Sequence, residues 1–86
     1  GVSELEHEEL DAIARISSLT PSQLRVFIAL SRGYMNKQIA ADMDISEATV
    51  KAHVTSVYKK LGVRSRTQAV MVSKALDISK EDLELG

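Results

Sequence analysis

The strongest constraint on the fold of this chain is the spacing of small, turn-forming and apolar residues between positions 36 and 55. Ala40 is small where two packed helices would cross, Asp44 stands at the turn, and Val50 is an apolar anchor on the second helix. The turn residue is expected to need a positive φ, which Gly tolerates best and Asp tolerates second best. The spacing therefore predicts a helix-turn-helix, with a helical hairpin in a small bundle as the alternative.

Charge is divided unevenly along the chain, although the net charge is only −1. Residues 1–19 carry a net −4 and residues 77–86 a net −3, whereas residues 20–76 carry a net +6. A basic module between acidic ends indicates a polyanionic partner, and together with the helix-turn-helix spacing it favours double-stranded DNA. An ordinary mixed surface is the alternative.

Composition excludes several other classes of protein. The 86 residues make one domain without Cys, so disulfides and thiolate metal sites are excluded, which is compatible with a reducing cytosol. No apolar run is long enough to span a membrane, and the start at Gly1-Val2 instead of Met predicts either an excised piece of a longer protein or a processed chain. His53 has no second ligand at a useful spacing, and the sequence contains no nucleophile paired with a base and no phosphate-binding glycine loop. We therefore expect neither an enzyme nor a cofactor.

Cap signals predict four or five helices and no strands, hence an all-α fold. The predicted helix starts are Ser3 with Glu6, Thr20 with Pro21 and Gln23, Asn36, Ser46, and Ser65 with Gln68. The predicted ends are Ser17, Gly33, Gly62 and Leu76, followed by a fraying acidic tail over residues 77–86 in which Ser79 and Asp82 could allow one more turn.

The helix after Ser46 has one apolar face and one polar face. At 100° per residue, its apolar residues fall on one side: Val50, Val54, Val57 and Leu61. Ala52, Thr55 and Lys59 fall on the opposite side, and Lys51 lies on a flank. The first face is predicted to be core and the second to be available to a DNA groove.

Four motifs in order resemble the LuxR/FixJ/NarL-type DNA-binding domain: Leu19-Thr20-Pro21, Asn36-Lys37-Gln38-Ile39-Ala40, the run from Ile45 to His53, and the run from Lys60 to Ala69. The resemblance covers residues 19–76 without insertions. It implies a four-helix domain that binds two-fold symmetric sites as a homodimer. Such domains stand at the C-terminus of a response regulator or a ligand-sensing activator. Residues 1–18 would then be an acidic linker helix from a missing N-terminal regulatory domain.

The resemblance also assigns roles to single residues. It implies that Lys51, Ala52 and Thr55 contact bases: Lys51 by donating to guanine, Ala52 through a thymine methyl and Thr55 through its hydroxyl. Positions that approach the DNA backbone are Asn36, Lys37, Thr49, Lys59, Lys60, Arg64 and Ser65. Gln68 and Val72 match the dimer interface, although Val72 could equally be core.

Leu24 and Ile28 depart from the family pattern, because relatives often carry polar residues at these two positions. If exposed, the pair would form an apolar patch for the missing regulatory domain or RNA polymerase. Packing against residues 4–17 is the prediction that we favour. The pair also supports the alternative function, a sigma-region-four-like module that docks on RNA polymerase.

Overall fold

The computed structural model describes the backbone of residues 2–85 and the side chains of His7 and residues 10–76. This part of the chain forms five α-helices and contains no β-strand: α1 (Val2–Ser17), α2 (Pro21–Ser31), α3 (Asn36–Met43), α4 (Glu47–Leu61) and α5 (Arg66–Leu85). The all-α prediction, a four-helix domain preceded by one helix, is confirmed.

The start of α2 is fixed by a reciprocal cap, as predicted. The backbone N–H of Gln23 donates to Thr20 Oγ1 at 3.2 Å, and the N–H of Thr20 donates to Gln23 Oε1 at 3.1 Å. Pro21 occupies the first helical position. At the other end, Gly33 has a φ of 86°, the left-handed conformation that stops a helix.

The start of α3 differs from the prediction that Asn36 would cap it. Met35 is the cap residue, with φ −83° and ψ 160°, and Asn36 is the first residue of the helix. The N–H of Met35 donates to Gln38 Oε1 at 2.8 Å, while Asn36 Oδ1 accepts a hydrogen bond from Arg66. Asn36 therefore lies inside the helix, and its side-chain oxygen bonds another helix instead of capping α3.

The caps of α4 are as predicted. Ser46 Oγ accepts from the N–H of Thr49 at 3.1 Å, a contact that typically stabilises a helix by about 1 kcal/mol. Gly62, with φ 71°, ends the helix after Leu61.

The start and end of α5 were predicted only in part. Ser65 Oγ accepts from the N–H of Gln68 at 3.2 Å, but Gln68 Oε1 accepts from the N–H of Arg64, not of Ser65. The helix also continues beyond Leu76 to Leu85, where fraying was expected. The side chains of the predicted pairs Ser3 with Glu6 and Ser79 with Asp82 lie outside the described residues.

Two buried clusters hold the helices together, and α2 contributes to both. The first joins α2, α3 and the start of α4 and consists of Val26, Leu30, Ile39, Ala40 and Val50. The second joins α2, the end of α4 and α5 and consists of Phe27, Val57, Leu61 and Ala69. Each fully buried Val or Leu contributes about 1.5–3 kcal/mol relative to an exposed one. Since α4 is anchored at both ends of its inner face, its rotation about its axis is fixed.

The N-terminal helix α1 packs against α4 and α5. Ile16 lies against the second cluster, whereas Leu10 and Ile13 are exposed. The described side chains of α1 leave Leu24 and Ile28 38% and 40% exposed, so the prediction that residues 4–17 cover this pair is not met by them. None of the described helices is both long and apolar enough to cross a membrane.

Candidate nucleic-acid interface

The turn between α3 and α4 has the geometry that the sequence predicted. Asp44 adopts the left-handed conformation, with φ 55° and ψ 49°. The N–H of Ile45 donates to the carbonyl of Ala40 at 3.0 Å, which closes the turn. Ala40 is 6% exposed, and its small side chain allows α3 to approach α4 closely. The turn thereby determines which face of α4 points outward.

The outer face of α4 consists of short polar, small and basic side chains. Val50 and Val57 are fully buried, whereas Lys51, Ala52, Thr55 and Lys59 are exposed. The predicted division of α4 into a core face and an exposed face is therefore confirmed. Glu47 is also exposed, in the first turn of the helix, where a carboxylate complements the helix dipole.

Two hydroxyls on α4 are already engaged within the helix. Thr55 Oγ1 donates to the carbonyl of Lys51 at 3.0 Å, so in this rotamer its lone pairs, not its hydrogen, face outward. Thr49 Oγ1 lies 2.9 Å from Ser46 Oγ at the helix start. Thr55 is therefore prepared to accept a hydrogen bond, for example from an adenine or cytosine amino group.

The predicted backbone-contacting residues differ in how exposed they are. Lys37, Thr49, Lys59 and Arg64 are exposed, while Asn36, Ser65 and Lys60 are half-buried. Lys60 differs most from the expectation. Its Nζ donates to the carbonyl of Ser18 at 3.0 Å and to Gln23 Oε1 at 2.7 Å, which ties the end of α4 to the start of α2.

Arg66, the first residue of α5, makes two hydrogen bonds at the candidate interface that the sequence did not predict. Its Nη1 donates to the carbonyl of Tyr34 at 2.6 Å and its Nη2 to Asn36 Oδ1 at 3.0 Å. In the sequence, Arg66 counted toward the charge of the basic module and lay within the Lys60 to Ala69 motif, but no contact was assigned to it. Its partners lie 30 and 32 residues away, and no local pattern identifies contacts at that separation.

The predicted dimer residues lie on α5, one turn apart. Val72 packs partly against the second buried cluster, and Gln68 is exposed. Between them Met71 is 63% exposed, and Ala75, one turn beyond Val72, is also exposed. The outer face of α5 thus presents Gln68, Met71 and Ala75, with Val72 between this face and the core.

The histidines show no metal site. His53 is half-buried and His7 is exposed, and the described residues contain no group of three His, Cys, Asp or Glu side chains that could hold a metal ion.

Comparison with known proteins assigns the chain to a family. Residues 17–73 match the family model described as bacterial regulatory proteins, luxR family. The chain belongs to this family. Its fold is that of a LuxR-type helix-turn-helix DNA-binding domain of transcription regulators.

Relatives and solved structures agree with this assignment. The domain is 42% identical over 64 residues to the glycerol metabolism activator of Pseudomonas putida. The matched segment covers 74% of this chain and 29% of the activator. The response regulator StyR superposes with a TM-score of 0.78 at 35% identity, over 84% of this chain and 36% of StyR. Full-length FixJ from B. japonicum superposes with a TM-score of 0.80 at 28% identity, over 90% of this chain and 38% of FixJ. The LuxR-family domain thus spans about a third of each of these relatives.

Proposed function

We propose that this LuxR-family domain binds double-stranded DNA sequence-specifically, with α4 lying in the major groove. The observation that supports this most directly is the two-faced recognition helix: Val50 and Val57 are buried in the core, whereas Ala52 and Thr55 are exposed on the opposite side and Lys51 is exposed on a flank. Its 15 residues span about 22 Å, so the N-terminal half of the helix fits a groove about 12 Å wide.

Three side chains contact bases in this arrangement. Lys51 donates to guanine O6 or N7, Ala52 packs on a thymine methyl, and Thr55 accepts from an exposed amino group. Lys51 has the only charged donor of the three, so each half-site provides modest discrimination.

Backbone contacts supply most of the affinity. Lys37, Lys59 and Arg64 bring exposed positive charge, and the exposed residue Thr49 brings a hydroxyl that lies beside Ser46 Oγ at the helix start. Asn36 and Ser65 contribute polar groups at the starts of α3 and α5. Lys60 retains one ammonium hydrogen after its two internal hydrogen bonds and contributes charge more than direct contact.

We further propose that the domain binds two-fold symmetric sites as a homodimer, through the face of α5 that carries Gln68 and Val72. The exposed Met71 beside them supplies apolar area for such a contact. The likeness to StyR and FixJ supports an output domain that follows an N-terminal regulatory domain of a cytoplasmic response regulator.

RNA polymerase is a second candidate partner, as in a sigma-region-four-like module. The partial exposure of Leu24 and Ile28 on α2 favours it, because apolar side chains on a surface helix suit a protein contact. Capture of core polymerase by the domain in the absence of DNA would support this function, and loss of capture in a Leu24→Glu variant would localise it.

Selection from a pool of random DNA duplexes tests DNA binding without a known target. We expect enrichment of a motif with two-fold symmetry and an affinity that falls steeply as salt rises. Lys51→Ala should relax the selected motif at one position of each half-site, whereas Lys74→Ala removes the same charge from an exposed site on α5 and should leave the motif unchanged. Failure to enrich any motif over the starting pool would contradict sequence-specific binding.

A further inference from the structure

Arg66 connects two segments that lie at the proposed DNA surface. Its guanidinium bonds the carbonyl of Tyr34, in the turn before α3, and the side-chain amide of Asn36, the first residue of α3. Arg66 is itself the first residue of α5 and is half-buried. One side chain therefore sets the start of α3 relative to the start of α5.

The chemistry of the contact between Arg66 and Asn36 determines how the Asn36 amide is oriented. A guanidinium has only donors, so it can face only the oxygen of an amide. Since the oxygen and nitrogen of a primary amide point in different directions, the contact turns Nδ2 away from Arg66. Without this contact the two orientations of the amide would be close in energy.

We propose that Arg66 is a positioning residue for DNA binding, which holds the Asn36 amide so that Nδ2 donates to a DNA phosphate. The proposal rests on the proposed function, because it assumes that the start of α3 approaches the DNA backbone. It adds a residue that acts through Asn36 without touching DNA itself. An Arg is suited to this task because its planar fork bonds two acceptors at once, whereas a Lys ammonium is a single point charge.

Asn36→Asp separates positioning from structural support. A carboxylate keeps the bond to Arg66 and strengthens it by charge, but it has no hydrogen to donate and it repels phosphate. We expect the thermal midpoint by circular dichroism to be unchanged or raised. The affinity for a fluorescently labelled random-sequence duplex at 50 mM salt should fall about ten-fold or more, the effect of losing one hydrogen bond to a charged group.

Gln38→Glu is the matched control, because it adds the same charge two residues further along α3. Its carboxylate can still accept the hydrogen bond from the Met35 N–H that Gln38 accepts now. Gln38 is exposed, so the variant measures the general effect of one negative charge at this helix start. Equal losses of affinity in Asn36→Asp and Gln38→Glu would overturn the proposal.

A double-mutant cycle tests whether Arg66 acts through Asn36. Arg66→Lys retains the charge but not the fork, and in the wild-type background it should lower the affinity for the labelled duplex at 50 mM salt about ten-fold, the effect of losing the Asn36 hydrogen bond to phosphate. In an Asn36→Ala background it should cause no further loss of affinity. An equal change in both backgrounds would show that Arg66 contacts phosphate directly and would overturn the proposal.

Binding by the wild-type protein distinguishes failure of the positioning role from failure of the proposed function. Salt-dependent binding by wild type together with normal binding by Asn36→Asp overturns only the role of Arg66 and Asn36. Absence of salt-dependent binding by wild type overturns the proposed function, and the positioning role with it.

Discussion

Arg15 on α1 donates from Nη1 to the main-chain carbonyl of Leu61, the last residue of α4, at 2.8 Å. The same guanidinium is paired through Nε with Asp11 Oδ2 at 3.0 Å. The carbonyls of the last helical turn have no partner within the helix, so a cation at this point satisfies one of them and also complements the helix dipole. The N-terminal helix thus stabilises the far end of the recognition helix.

Arg15→Ala should lower the free energy of unfolding by about 1 kcal/mol, because it removes this charge-assisted bond from a site that is partly exposed to water. Chemical denaturation followed by circular dichroism measures the change. Arg25→Ala, which removes an exposed Arg from α2, is the control and should change stability by less than about 0.5 kcal/mol. Equal effects of the two substitutions would contradict a specific role for Arg15.

Gly62→Ala should cost about 1–2 kcal/mol, because Gly62 has a φ of 71° and a Cβ there would overlap the Arg15 guanidinium. The overlap contributes only while Arg15 is present, whereas the backbone strain does not depend on it. The cost of Gly62→Ala should therefore be smaller in an Arg15→Ala background. Additive costs would show that the guanidinium moves aside without loss.

Asp44→Gly should stabilise the domain, because Asp44 holds a left-handed conformation that Gly adopts without strain. The gain is limited by the greater freedom of Gly in the unfolded chain, and we expect a rise of a few degrees in the thermal midpoint, on the order of 0.5 kcal/mol. Asp44→Ala provides the comparison. It lacks both the freedom of Gly and the local bonding of Asp, and it should lower the midpoint. A higher midpoint for Asp44→Ala than for wild type would contradict the strain argument.

Lys59 and Lys60 are adjacent, but replacing each by Ala should have different effects on stability and on the salt dependence of DNA binding. Lys59 is exposed, so its loss should lower the salt slope of DNA binding by about one and leave stability nearly unchanged. Lys60 bonds Ser18 and Gln23, so its loss should lower stability by about 1 kcal/mol and change the salt slope less. Titrations of the two variants at several salt concentrations, beside their denaturation curves, check the contrast. Identical profiles would contradict it.

Glu47→Gln should tighten binding to specific and random duplexes by a similar factor of a few-fold at low salt. Glu47 is exposed in the first turn of α4, where its charge repels phosphate across a short distance. The advantage should disappear near 0.5 M salt because screening removes the repulsion. An effect that is confined to one DNA sequence would instead indicate a base contact by Glu47.

Two helix starts illustrate where local patterns predict structure and where they do not. At Thr20, the cap and its return bond involve residues three positions apart, and both were predicted. At Asn36, an equally suitable cap residue was predicted and Met35 took its place. The Asn36 side-chain oxygen accepts instead from Arg66, which lies 30 residues away, a contact that no local pattern predicts.

At the candidate site, too, features that depend on nearby residues were predicted and contacts between distant residues were not. The exposure of Lys51, Ala52 and Thr55 was predictable, because helical periodicity places Ala52 and Thr55 opposite the apolar residues of α4 and Lys51 on a flank. The use of Lys60 for an internal contact was not predictable, because its carbonyl partner Ser18 follows α1 and its amide partner Gln23 lies at the start of α2.

The sequence by itself determined the all-α class, the helix-turn-helix, the division of α4 into two faces and most of the caps, because each depends on residues within about one helical turn or on helical periodicity. Only the tertiary structure decided which polar side chains remain free at the proposed DNA surface. Arg15, Lys60 and Arg66 each bond a group at least 30 residues distant, and such pairs exist only after the buried clusters have brought the helices together.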